Sequence, residues 1–443
     1  MKLQPLSAIC LLLGLFGIAM PALSQSGSDR PNFLVVYGEG SGWVSTSVQM
    51  DEDDPLSKSD YIETPNLERL AANGVTFSRG YAPSPRCTPS RAGLYTGKSP
   101  GLLHMTYVTS DGTEQSAVNL PDSGNTQLLP PPSILELSAD EKTYAEILQQ
   151  AGYATAHFGK WHLGGVDPIE HGFDESDGAN TNDAPTGREN NQAEYFVLAE
   201  KGIDFMQRQV GAGRPFLLQV DHYPVSEMNR NVREEMMAER LDMDASFGLM
   251  YDALEELGVA DNTYVIFSTD HGTPGSLNRP LQGGKGALSE GGIRVPFIIG
   301  GASIGSGAWS DIPVTALDIL PTIAELSGNA SRVQENIEGG SLVSVLRGQG
   351  GRVVRSREEI VFHFPHYDKG NPGPASALLF GDYKLVKNYE EQQPQLYNLA
   401  ADPGETNDLA SAMPDLVAEL DQKLVTYLDE IDAQMPRPNP EYQ

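Results

Sequence analysis

Cysteine is nearly absent from this chain, with two in 443 residues, Cys10 and Cys87. Cys10 falls within residues 1–24, which are built like a secretory leader: Lys2, an apolar stretch from Ala8 to Met20, and a small-residue cleavage site at Ala22-Leu23-Ser24. Cleavage leaves Cys87 alone, which excludes a disulfide framework and leaves either thiol reactivity or burial as a small hydrophobe. Positive charge is also scarce: 30 Lys and Arg stand against 60 Asp and Glu, for a net charge of −30. That excludes nucleic acid as the default partner. It does not exclude an anionic substrate, because a local cluster of cations outweighs diffuse charge lying beyond a Debye length. Past the leader no apolar run is long enough to cross a bilayer. The expected product is an exported protein, periplasmic or secreted, without stable membrane insertion. Internal repeats and sizeable low-complexity blocks are lacking too.

What the chain does contain is an alternation of short apolar runs and helical patterns that stop at glycine. Asn32–Tyr37, Tyr153–Phe158, Pro215–Val220, Thr263–Ser268 and Val295–Ile299 read as buried parallel strands. Asn66–Asn73, Thr143–Ala151 and Met243–Leu257 read as helices, each followed by Gly. Such alternation predicts a doubly wound α/β sheet. Glu39, Lys160 with His162, Asp221 with His222, and Asp270 with His271 each follow one of the strands. Ligands bind beyond the carboxyl ends of strands in open α/β sheets, so these groups are expected to share one crevice. A glycine-rich stretch, Gly339–Gly351, marks a boundary. The expected division is a catalytic domain over 25–345 and, over 346–443, a smaller α+β subdomain with an antiparallel sheet and a long helix from Asp415 to about Ala433.

Cys87 opens the run Cys87-Thr88-Pro89-Ser90-Arg91. Pro89 suits the first turn of a helix, so the thiol is expected at a helix N-terminus, where an anion is favoured. This run resembles the signature of the type I sulfatases, and Tyr95-Thr96-Gly97-Lys98 extends the match. The resemblance implies an alkaline-phosphatase-like mixed sheet flanked by helices. It also implies that a maturase converts Cys87 to formylglycine, whose hydrate is the nucleophile, and that a divalent cation, calcium first and magnesium second, assists it.

Further segments resemble the family in its own order. Gly159-Lys160-Trp161-His162-Leu163-Gly164 matches the second signature, in which the lysine binds sulfate and the histidine contacts formylglycine. Leu281-Gln282-Gly283-Gly284-Lys285-Gly286, with Glu290-Gly291-Gly292-Ile293-Arg294-Val295-Pro296, implies a second sulfate lysine, Lys285, and a structural Arg294. Pro31–Trp43 and Ser268-Thr269-Asp270-His271-Gly272 resemble the two metal segments, so Glu39, Asp270, His271 and the modified Cys87 are the implied ligands. His222 falls at a substrate histidine, and His222 or His162 is expected to protonate the leaving alcohol. Arg91, Lys160 and Lys285 complete the implied catalytic set. Phe362-His363-Phe364-Pro365-His366-Tyr367 resembles the start of the family's C-terminal subdomain and offers His366 to the substrate mouth.

Two positions depart from the pattern. The family has two adjacent aspartates where this chain reads Glu39 and Gly40, which removes one carboxylate from the cation site. Ser226 stands where a second substrate histidine often follows; a serine can bind a substrate oxygen but is a poor acid. The implied activity is hydrolysis of sulfate esters, sulfated carbohydrates above all. A formylglycine-type phosphodiester or phosphonate hydrolase and a silent binder of sulfated glycan are the alternatives.

Overall fold

Every residue of the run Asn32–Gly38 is buried, because the strand it forms lies mid-sheet with helices on both faces. The computed structural model describes residues 30–108, 125–182, 192–224, 233–273 and 278–442, except positions 303, 306, 369, 372 and 392. The leader 1–24 and Ser226 lie outside the described residues, as do parts of the loops 106–132 and 180–193.

In chain order the large domain contains β1 (Asn32–Gly38), α1 (Pro65–Ala72), β2 (Gly74–Phe77), α2 (Cys87–Thr96), α3 (Tyr144–Gln150), β3 (Ala154–Gly159) and β4 (Glu175–Ser176). It continues with α4 (Gln192–Gly211), β5 (Phe216–Asp221), α5 (Arg233–Glu256), β6 (Thr263–Thr269), β7 (Ile298–Gly301), β8 (Ala308–Ser310) and α6 (Ile319–Leu326). The strands form one eight-stranded sheet in the order β8-β2-β7-β6-β1-β5-β3-β4. Side chains alternate along β1 as a strand requires. Phe33, Val35 and Tyr37 join a core with residues of α2, α3 and α6. Leu34 and Val36 join a second core with residues of α1, α4 and α5.

The four runs that precede the polar residues are parallel strands, as expected. The fifth is corrected: the strand is Ile298–Gly301, later than read, and it runs antiparallel to both β6 and β2. Apolar periodicity carries no direction, and Pro296 withholds a backbone donor just before the strand begins. The sheet is therefore mixed.

The C-terminal subdomain is a four-stranded antiparallel sheet, β9 (Ile360–Phe364), β10 (Ala375–Phe380), β11 (Tyr383–Asn388) and β12 (Gln395–Asn398), with the helix α7 (Pro414–Glu430). One face packs Val361, Leu378, Leu385 and Leu396 against Leu420, Leu424 and Tyr427 of α7. The other face packs Phe362, Phe364 and Ala377 against Tyr81, Tyr107 and Ile293 of the large domain. The small sheet is thus packed onto the large domain through its second face.

Candidate active site

The loops after β1, β3, β5 and β6 converge on the N-terminus of α2. Their strands are parallel and in register, with Tyr37 opposite Asp221 and Ser268, and Gly159 opposite Asp221, so the residues that follow land side by side. Gly159 makes the Lys160 turn possible. Its φ is 105°, and a Cβ there would stand 1.9 Å from the Asp221 carbonyl oxygen. Lys160 N–H donates to that same oxygen at 2.9 Å. His162 holds a left-handed φ of 57°, a strained conformation for a side chain of its size, with its carbonyl accepting from the Thr88 hydroxyl at 2.9 Å.

Helix α2 begins at Cys87, follows an extended Arg86 and ends at left-handed Gly97; all of its residues are buried. Cys87 therefore faces outward from the helix N-terminus, where unpaired N–H groups and the dipole favour negative charge. Its Sγ lies 3.3 Å from His271 Nε2, 3.4 Å from Lys285 Nζ and 3.7 Å from Glu39 Oε1. Lys160 Nζ donates to Glu39 Oε2 at 2.8 Å and Lys285 Nζ to Glu39 Oε1 at 3.3 Å. Asp270 accepts from Gly40 N–H at 2.9 Å and from Arg91 Nη2 at 3.2 Å. His271 donates from Nδ1 to the Gly272 carbonyl at 2.9 Å, which turns Nε2 towards the cluster.

Arg91 ties the loops together from beneath. Fully buried, it donates to the Lys160 carbonyl at 2.7 Å and pairs with Asp221 Oδ2 at 3.0 Å, besides its bond to Asp270. Asp221 is fixed in turn by the Tyr95 hydroxyl at 2.6 Å and by His157 Nε2 at 3.2 Å. A charged group held by partners on several elements is pre-organised, which is what stabilisation of a developing oxyanion needs.

The electrostatics single out two groups. Burial and the adjacent Glu39 push the Cys87 thiol up, but Lys160, Lys285 and His271 outweigh them and hold it well below its ordinary value. Burial and the Glu39 charge push Asp270 up to about 6. A buried carboxylate whose ionisation is opposed by a second carboxylate beside it is a place where a cation is favoured. Ligand atoms of Glu39, Cys87, Asp270 and His271 all lie within 4.8 Å of one another. Two hard oxygen donors and an imidazole fit a divalent cation.

The crevice thus gathers Glu39, Cys87, Arg91, Lys160, Asp270, His271 and Lys285. His162 is hydrogen-bonded to Cys87; burial is the main cause holding its pKa below the ordinary value, and Lys160 adds to it. His222 stands apart from the thiol's contacts: it is fully buried against the Tyr195 ring, and burial drives its pKa down to about 4. His366 packs between Tyr107 and Phe364 and bonds Thr106 Oγ1 at 2.7 Å.

Sequence reasoning missed Arg240, which is fully buried and donates from Nη2 to the Gly40 carbonyl at 2.7 Å. A signal was present. Arg240 falls in step with Met236, Met243, Phe247 and Met250, the buried stripe of α5, where an arginine is out of place unless it has a task.

A family model described as Sulfatase matches residues 31–329, and one described as N-sulphoglucosamine sulphohydrolase, C-terminal, matches residues 284–433. The chain is 28% identical over 418 residues to the N-acetylgalactosamine-6-sulfatase of Sus scrofa, covering 83% of this chain and 74% of that protein. It is 29% identical over 425 residues to an ulvan-active sulfatase of Formosa agariphila, covering 84% of this chain and 77% of that protein. The crystal structure of Ps i-CgsB matches with a TM-score of 0.73 at 22% identity, over 90% of this chain and 93% of that one, and attests the shared fold. The Sulfatase match spans most of the chain, from the first strand to beyond α6, and agrees with the geometry of the crevice: the protein belongs to the sulfatase family and is a sulfuric ester hydrolase.

Proposed function

We propose that this chain is an exported, formylglycine-dependent sulfatase of sulfated carbohydrates. The observation that carries the reading is the setting of Cys87: a thiol at the N-terminus of a buried helix, 3.4 Å from Lys285 and 3.3 Å from His271. The names of the relatives, an N-acetylgalactosamine-6-sulfatase and an ulvan-active sulfatase, support a carbohydrate substrate. Export rests on the leader-like residues 1–24, and among the described residues no helix is long and apolar enough to cross a membrane.

In this reading Lys160 and Lys285 hold the sulfuryl oxygens, and Arg91 braces the loops that carry them. Hydrated formylglycine at position 87 would supply one hydroxyl to attack sulfur as the ester S–O bond breaks and the alcohol leaves with a proton. Its second hydroxyl would then expel sulfate and restore the aldehyde. Glu39, Asp270 and His271 would hold a divalent cation, calcium or magnesium, which would supply Lewis-acid polarisation. His162, hydrogen-bonded to Cys87, is the better placed of the two histidines for moving a proton at the nucleophile.

The test is sulfate release from a panel of sulfated mono- and polysaccharides, with phosphonate and phosphodiester controls, by protein co-expressed with a maturase. Active protein should show a Cys87 peptide lighter by roughly 18 Da, the difference between thiol and aldehyde side chains. Cys87→Ala should abolish turnover and leave the protein folded. Unmodified thiol throughout a fully active preparation rejects the mechanism.

A further inference from the structure

The side of the cation cluster that faces Gly40 already carries a guanidinium. Arg240 reaches it from α5 and donates to the Gly40 carbonyl at 2.7 Å, while Gly40 N–H donates to Asp270 Oδ1 at 2.9 Å. Both backbone polar groups of Gly40 are engaged, so position 40 brings a metal neither a carboxylate nor an uncommitted carbonyl. One residue's backbone separates the Arg240 guanidinium from a carboxylate that would ligate the ion. Among the described residues the rest of Arg240 is sparsely matched for a fully buried side chain: Nη1 lies 3.1 Å from Glu239 Oε2 without hydrogen-bond alignment, and Nε meets no acceptor. A buried charge with so few bonds is costly, and packing alone is served as well by an apolar residue.

We propose that Arg240 is a built-in cation of this anion site. Its guanidinium lowers the affinity of the Glu39, Asp270 and His271 cluster for a divalent ion and raises the affinity of the metal-free crevice for the sulfate anion. The inference rests on the sulfatase reading above. Its physical basis is that like charges repel, and unlike charges attract, far more strongly away from water than in it. Glu239 offsets part of the charge, so the effects are several-fold rather than orders of magnitude.

The experiment is isothermal titration calorimetry of calcium chloride, and separately of sodium sulfate, into full-length metal-stripped protein with Cys87 unmodified. Against wild type, Arg240→Met should bind calcium at least about fivefold more tightly and sulfate at least about fivefold more weakly. Arg240→Lys, which keeps the charge, should stay within about twofold for both ligands. Opposite movement of two ligands is a result that a merely structural role does not produce. Should Arg240→Met fail to fold, Glu239→Gln tests the same charge with the opposite sign, weakening calcium and tightening sulfate. Either variant, folded, with both affinities unchanged or with both weakened, overturns the proposal. Sulfate binding by wild type that is indifferent to these variants counts against Arg240 alone. No sulfate binding by wild type, with or without calcium, overturns the sulfatase reading together with it.

Discussion

Two of the charge clusters buried among the described residues, the crevice around Cys87 and a knot around Lys384, differ in one respect that matters for chemistry. Beside the crevice, Lys384 of β11 pairs with Glu290 Oε1 at 2.9 Å and with Glu405 Oε1 at 2.8 Å. The Tyr81 hydroxyl donates to Glu290 Oε2 at 3.0 Å, and the Glu290 N–H donates to Glu405 Oε2 at 2.7 Å. This cluster joins the small sheet to the large domain and holds no nucleophile. Burial pushes Glu290 up, but Lys384 and Arg294 outweigh it and hold the carboxyl below its ordinary value. The crevice has similar burial and similar residue types, yet it contains a thiol with lysines around it and a carboxylate pushed up to about 6 by burial and by its neighbour. Burial of charge is therefore no mark of function by itself. What marks the site is charge left partly unbalanced around a nucleophile at the ends of parallel strands.

The comparison breaks most readily at Lys384. Lys384→Met strands two buried carboxylates against each other, and removing one partner of such a buried cluster costs about 3–5 kcal/mol. A large fall in the urea midpoint is expected, and Glu405→Gln in the same protein should recover part of it by removing one stranded charge. A midpoint near wild type for Lys384→Met would show that the latch contributes little.

Lys160→Ala and Lys285→Ala should have the reverse profile, with catalysis suffering more than stability. Each is expected to lower kcat/KM at least tenfold, equivalent to about 1.4 kcal/mol of transition-state stabilisation. Lys160 is the fully buried one, while the Lys285 side chain is 21% exposed, so the Lys160 effect should be the larger. Steady-state kinetics on the same ester decides this. Near-wild-type activity in both variants places sulfate elsewhere.

Much of the crevice was legible because it is made at strand ends, where a short continuous apolar run points to the polar residue that follows it. Glu39, Lys160 and Asp270 were found in that way, Cys87 as the lone cysteine at a helix start, and Lys285 by resemblance. Strands β2 and β8 were not found, since Gly74–Phe77 and Ala308–Ser310 are too short for periodicity to register. The direction of β7 was illegible because apolar pattern is blind to polarity. Glu290 and Lys285 lay in one matching segment, yet the fold sends Lys285 to the nucleophile and Glu290 to the latch. Sequence proximity cannot separate those destinations, because they are decided by which strand each loop meets.

The smallest expected effect separates the histidines of the two regions. In the C-terminal subdomain His363 donates from Nε2 to the Gln434 carbonyl at 3.0 Å, so its Nδ1 must accept from the Ser376 hydroxyl at 2.7 Å. A second proton on the ring has no acceptor there, and burial drives the pKa down to about 4. The unfolded chain takes up a proton near the ordinary histidine value of about 6.5. Between the two values only the unfolded state is protonated, so the contribution of His363 to stability is complete above about pH 6.5 and is lost as pH falls towards 4. His271 in the crevice runs the other way. Burial and Lys285 lower its pKa, but Asp270 and the Cys87 thiol outweigh them and hold it above the ordinary value, so its contribution is full at low pH and is lost as pH rises through the folded value. The Tm of wild type should therefore fall between pH 6.5 and 4.5, and His363→Gln should flatten that slope by up to about 1.4 kcal/mol per pH unit. An unchanged slope would mean that His363 is protonated in the folded protein, which requires Ser376 to have turned its hydroxyl away from the ring.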